Sequence, residues 1–215
     1  MKQLLFSAPL SAEPANSVRP QKHRREARLQ SIIDEAKRVL SQQGYADFTL
    51  RKVASEAGVP LGTLQHYFPT RELLLSTVIS QTIRNYNEGY ERLASGAGTA
   101  EQRLQAIIDR VLAEIDEDDV RPFFLEITAL ATHEPFAAEA LSESHRSYLG
   151  TICRLVGEIN PALNLADCEL RALLIASQLE GLMMFRQDSH SAATPDRDAL
   201  HRAVKLVALS LSNAP

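Results

Sequence analysis

Apolar residues recur every three or four positions along almost the whole chain, and no run alternates convincingly with period two. That spacing predicts an all-α protein. Leu29, Ile32, Ile33, Ala36, Val39 and Leu40 form one stripe, so a helix is expected over 27–43, ended by Gly44. Leu73, Leu74, Val78, Ile79, Ile83, Tyr86 and Tyr90 predict a long helix reaching about residue 94, with Thr70 as its cap. Ser95–Thr99 is a break. Beyond it, helices are expected around 104–115, from Pro122 through Ala131, from Pro135 to about Ile159, around 170–182, and from Pro195 to Leu211. A polar loop, Gln187–Thr194, precedes the last of these.

Between the first helix and the long one lies Thr49–Phe68, which reads as helix, turn, helix. Thr49 can cap the first helix, and Leu50, Val53, Ala54 and Ala57 give it one apolar face. Gly58 falls where a helix ends in the left-handed conformation that glycine adopts cheaply. Pro60 lacks an amide hydrogen and fits the start of the next helix, whose buried side is Leu64, Tyr67 and Phe68. A small residue at the crossing, a glycine in the turn and an apolar anchor are what a DNA-reading helix-turn-helix needs. On pattern alone the alternative is an ordinary helical hairpin in a core.

Charge adds weight to the first reading. The 215-residue chain carries a net charge of −4, so it is no bulk polyanion binder. Residues 1–75, however, hold 11 Lys and Arg against 7 Asp and Glu, and the remainder holds 12 against 20. A basic front on an acidic body fits a nucleic-acid-binding head. Residues 1–25 read as a flexible basic arm, rich in Pro at the start and ending in Gln21-Lys22-His23-Arg24-Arg25. Such an arm either contacts phosphates or leads, solvated, into the helix. The expected divisions are then the arm at 1–25, a helix-turn-helix domain at 26–75 and a larger helical effector-binding and dimerisation domain at 76–215.

Two cysteines, Cys153 and Cys168, make no disulfide framework and fit a reduced cytoplasmic setting. Leu4–Leu10 is too short to span a membrane, so no membrane partner is expected. No nucleophile elbow, phosphate-binding glycine loop or metal-ligand cluster is present, and His133 and His145, twelve apart, match no metal spacing. Neither enzyme activity nor a metal or other cofactor is expected.

The stretches Phe48-Thr49-Leu50-Arg51-Lys52-Val53-Ala54, Ala57-Gly58-Val59, Gly62-Thr63-Leu64, His66-Tyr67-Phe68 and Glu72-Leu73-Leu74 closely resemble the DNA-binding head of the TetR family of bacterial transcriptional regulators. The segments around Phe123 and Glu180-Gly181-Leu182 look similar to the betaine-regulator branch. The resemblance implies a homodimer on double-stranded operator DNA, released when a small-molecule effector enters the C-terminal domain and moves the long linking helix. The alternative is an architectural or adaptor DNA-binding protein with no effector.

By that motif match the DNA face comprises Thr49, Arg51, Leu61, Gly62, Thr63, Gln65, His66, Tyr67 and Arg71. Arg51 is the expected base reader, because its fork matches guanine. Thr49, Thr63, Tyr67 and Arg71 suit phosphates. Gln65 stands where the family often has tyrosine, Arg71 where it often has lysine and Pro60 where it often has serine. Polar groups on apolar helices nominate Arg121, Glu126, His133, His145, Tyr148 and Gln178 for the effector pocket, with Met183 as an adaptable wall. Leu170, Leu173, Leu174, Leu200, Val204 and Val207 are nominated for the dimer interface.

Overall fold

The computed structural model describes residues 18–185 and 196–214. Nine helices and no strand are found among them: α1 (Val18–Asp47), α2 (Leu50–Glu56), α3 (Leu61–Tyr67), α4 (Arg71–Ala94), α5 (Ala100–Ile115), α6 (Val120–Leu130), α7 (Pro135–Ile159), α8 (Leu165–Phe185) and α9 (Arg197–Asn213). The polar loop expected over Gln187–Thr194 falls outside the described residues, as does most of the arm expected over 1–25.

Where that arm is described, it is helix. α1 runs from Val18, so the basic residues from Lys22 onward lie on helical backbone rather than in a flexible arm. Pro20 is no obstacle there: the first N–H groups of a helix have no intrahelical partner, so a residue without one costs nothing. Gly44 interrupts α1 near its end with φ +75° and ψ 174°, and the corner Gly44–Asp47 turns the chain toward α2.

The short helices α2 and α3 could not persist alone. Their ends are held locally. The Thr49 hydroxyl accepts from the Lys52 N–H at 3.1 Å. At the other end of α2, Gly58 adopts φ +61°, its N–H donates to the Ser55 carbonyl, and the Val59 N–H reaches back to the Ala54 carbonyl at 3.0 Å. These paired bonds close the helix and fix the turn. Packing does the rest: Phe48, Val53, Ala54, Leu64 and Phe68 are buried together with α1 and the first half of α4. Each large apolar side chain buried this way contributes about 1.5–3 kcal/mol.

Two separate cores organise the molecule. The first joins the helix-turn-helix to α1 and early α4, and also takes in Phe123, Ile127 and Leu130 of α6 and Ala137 of α7. The second joins the end of α4 to α5, the rest of α7, α8 and α9, around Leu104, Ile108, Leu112, Ile152, Ile175 and Leu179. Thus α6, although it follows α5 in sequence, is packed with the reading head. An ion pair between Lys37 of α1 and Asp119 at the start of α6, 2.9 Å long, ties the same seam.

Candidate nucleic-acid interface and internal cavity

The outer side of the helix-turn-helix carries the residues nominated from sequence. Arg51, Gly62, Gln65 and His66 are exposed, as is the Thr49 side. Arg51 has no carboxylate partner among the described residues, unlike its neighbour Lys52, which pairs with Glu56 at 3.0 Å. Glu56 also takes Arg38 at 2.8 Å, and its carboxyl is held below its ordinary range by Lys52 and then Arg38. Gly62 has open space where a Cβ would stand, so nothing inside the protein demands glycine there. Leu61, Thr63 and Tyr67 are half-buried, and Leu61 and Tyr67 lean on the head's core.

Tyr67 connects this surface to the basic end of α1. The Arg25 guanidinium lies over its ring at 5.6 Å, and His66 meets the ring edge-on at the same distance. The helical α1 therefore sets Arg25 beside α3. Arg71 is differently employed from the sequence expectation. Its guanidinium stacks on the Tyr45 ring at 4.0 Å and donates to the Tyr45 carbonyl, so it braces the Gly44–Asp47 corner.

A cavity of about 390 Å³ opens between the two cores. Its lining includes Tyr86 and Tyr90 of α4, Glu114 of α5, Phe124, Leu125 and Thr128 of α6, His145 and Tyr148 of α7, and Glu180 and Met183 of α8. Of the sequence-nominated pocket residues, His145, Tyr148 and Met183 are there. Four are not. Arg121 lies outside and donates to the Met183 carbonyl at 2.8 Å, tying α6 to α8. Glu126 faces the head, where it accepts from the Tyr45 N–H. His133 is exposed beyond the end of α6, and Gln178 is half-buried off the lining.

The cavity walls are aromatic and acidic. Tyr86 and Phe124 rings lie 5.4 Å apart, and Tyr90 and Tyr148 rings 5.3 Å apart. Glu114 accepts from both the Tyr90 hydroxyl and Arg110. Burial pushes the Glu114 carboxyl above its ordinary range, against the opposing pull of Tyr90 and Arg110. Burial likewise raises Tyr90 and Tyr148, so both stay neutral phenols. The Tyr148 hydroxyl is buried in the cavity wall with no hydrogen-bond partner among the described residues. At the rim, His145 faces Glu180 at 3.5 Å. Behind the wall, Lys37 lies over Tyr86 at 5.8 Å and over Phe123 at 5.7 Å. Burial opposes its charge, but Asp119 and Tyr86 outweigh that and hold the ammonium above its ordinary range.

Outside the second core, α8 and α9 expose Leu165, Leu170, Leu173, Leu174, Leu206 and Val207. Leu165 and Leu206 were not nominated from sequence. Val204, which was, is only 3% exposed and belongs to the subunit's own core, because it lies on the inner side of α9 with Ala208. Leu200 is half-buried against the same core. No described helix is long and apolar enough to cross a membrane.

Family comparison reads the same two parts. The model for bacterial regulatory proteins of the tetR family matches residues 32–78, and that for the tetracyclin repressor-like C-terminal domain matches residues 101–207. The chain belongs to the TetR family. It is a helix-turn-helix transcriptional regulator. The transcriptional regulator BetI of Stenotrophomonas maltophilia is 24% identical over 170 residues, covering 77% of this chain and 84% of that one. Among solved structures, a transcriptional regulator from Pseudomonas aeruginosa PAO1 superposes with a TM-score of 0.76 at 17% identity, over 92% of this chain and 96% of that one. A regulator from Saccharomonospora viridis, solved in complex with choline, gives 0.71 at 17% identity, over 84% and 94%. In this TetR-family chain, then, the first match spans the Thr49–Phe68 helix-turn-helix, and the second runs from α5 into α9.

Proposed function

We propose that this TetR-family regulator is a cytoplasmic homodimeric repressor that leaves its operator when a small organic cation fills the cavity between α4 and α8. The reading surface is Thr49, Arg51, Leu61, Gly62, Thr63, Gln65, His66 and Tyr67, with Arg25 beside it. Arg71 is left out, since the Tyr45 corner already occupies it. The exposed leucines of α8 and α9 supply the partner surface.

The observation that carries the effector class is the grouping of four aromatic rings with two carboxylates around one cavity: Tyr86, Tyr90, Phe124 and Tyr148 with Glu114 in the wall and Glu180 at the rim. Ring faces attract a cation that sheds its water, and quaternary ammonium groups are bound in such boxes. The volume suits a small molecule. The choline held by the S. viridis regulator is of the same class. An open cavity where solid packing could have been also speaks for an effector-responsive protein over an architectural one.

The test is selection of bound duplexes from a random pool, then titration of the winning duplex with choline, a larger quaternary ammonium and the uncharged carbon isostere of choline. Release by a cation and not by the isostere is expected. A two-fold symmetric winner released equally by the isostere would refute the cationic class, and no enrichment at all would refute the operator reading.

A further inference from the structure

Tyr45 sits at the corner between α1 and the helix-turn-helix, and all its polar groups are engaged. Its N–H donates to Glu126 Oε2 of α6 at 3.1 Å, its hydroxyl donates to Glu134 Oε1 at 3.3 Å, and its carbonyl accepts from Arg71. The ring lies beneath the Arg71 guanidinium. The approach of Glu126 is close: a Cβ added to Gly44 would stand 3.3 Å from Glu126 Oε1, on a backbone already at φ +75°. Glycine at 44 thus serves both the left-handed turn and the carboxylate that meets it.

Glu126 comes from the element that also walls the cavity, and Glu134 stands just past its end. On α6, Phe124, Leu125 and Thr128 face the cavity, while Phe123, Glu126, Ile127 and Leu130 fall on the opposite side by helical spacing. Glu134 occupies the N-cap position of α7, where the turn from α6 ends, and its side chain makes no capping bond. A displacement of α6 by anything entering the cavity therefore reaches the reading head at Tyr45 without travelling along α4.

We infer that Glu126 and Glu134 form a clasp on Tyr45 through which α6 sets the position of the helix-turn-helix, making these three positioning residues for DNA release. The inference rests on the effector reading above, and it adds a direct route from cavity to head. A helix packed into one core while walling the space before another moves as a unit, because packed interfaces rearrange rather than stretch. The clasp gives that movement a polar grip on the corner that orients α2 and α3.

Two arms test it. In the first, operator affinity is measured with and without saturating choline for the wild type, Tyr45→Phe, Glu126→Ala and Glu126→Gln, with choline affinity followed by calorimetry. Tyr45→Phe and Glu126→Ala are expected to cut the choline-induced weakening of operator binding by about fivefold while choline affinity stays unchanged. Glu126→Gln keeps an acceptor for the Tyr45 N–H and is expected to retain the wild-type ratio. Full release in both Tyr45→Phe and Glu126→Ala would overturn the clasp.

The second arm needs no effector. Leu125→Trp crowds the cavity side of α6 and is expected to weaken operator binding by about fivefold with the clasp intact, and much less in the Tyr45→Phe/Glu126→Ala background. Equal loss in both backgrounds, or no loss with the clasp intact, would overturn it. If choline releases nothing from the wild type, the effector class fails, and this second arm still decides the clasp.

Discussion

The Tyr90 phenol donates to the Glu114 carboxylate inside the cavity, and Glu114 is all but fully buried at 4% side-chain exposure. Burial raises its carboxyl, so the proton leaves later than from an exposed glutamate. The groups facing it are Tyr86 and Tyr90 from α4, Arg110 from α5, Glu117 from the turn after α5 and Tyr148 from α7. Because the charged form is the one that attracts a cation, choline affinity should rise as pH climbs through that raised value and then level off. Calorimetric titration between about pH 5 and pH 8 checks this. Glu114→Gln should bind choline roughly tenfold more weakly at the upper end and flatten the profile.

The same shift has a sign for stability. A carboxyl raised in the folded state contributes stability below its ordinary value, and that contribution is lost as pH rises through the raised one. Glu114→Gln should therefore leave thermal stability at alkaline pH unchanged or higher. A lower melting temperature there would mean that the Arg110 pair, not burial, dominates.

Gly62→Ala separates local stability from DNA contact. Alanine favours α3 by up to about 1 kcal/mol, and the open space accepts the methyl group. Denaturant unfolding should show a gain, and operator affinity should fall because the methyl holds the helix off the duplex. A gain in both would show that α3 does not approach DNA closely at residue 62.

Arg51→Ala should cost about 1–3 kcal/mol of specific affinity and relax base preference, with the salt slope nearly unchanged. Arg25→Ala should do the reverse: weaker binding to every sequence and a salt slope shallower by about one ion. Titrating cognate and scrambled duplexes at several salt concentrations distinguishes the two patterns.

Leu173→Glu with Leu206→Glu should yield a monomer by light scattering, since both side chains are at least half exposed. Val204→Ala should keep the dimer and cost roughly 1–3 kcal/mol of folding stability, because Val204 fills the subunit's own core.

The reading motif was legible because its signals are local. The Thr49 cap, the Gly58 turn and the Leu64 anchor each act within a few residues, and each is found as expected. The cavity draws on five helices, and no local rule says which polar group on an apolar helix faces it. Glu126 and Glu114 look alike in that respect, yet one grips Tyr45 and the other lines the cavity. A signal for Glu114 existed: it is in phase with Ile107 and Val111 on the buried stripe of α5. The brace that Arg71 forms was not legible, because its partner, Tyr45, lies 26 residues away and their stacking leaves no trace in the motif. Val204 and Val207 sit on the same amphipathic helix three positions apart, and only packing tells inner from outer.

The division of the interior into two cores has a consequence for how such a regulator changes its habits. Since the cavity floor and roof belong to different packed bodies, its chemistry can drift on the α5, α7 and α8 side, one wall residue at a time, while the α6 side keeps its hold on the reading head. Taste for a new molecule can then change on one side of the cavity while obedience to it is kept on the other.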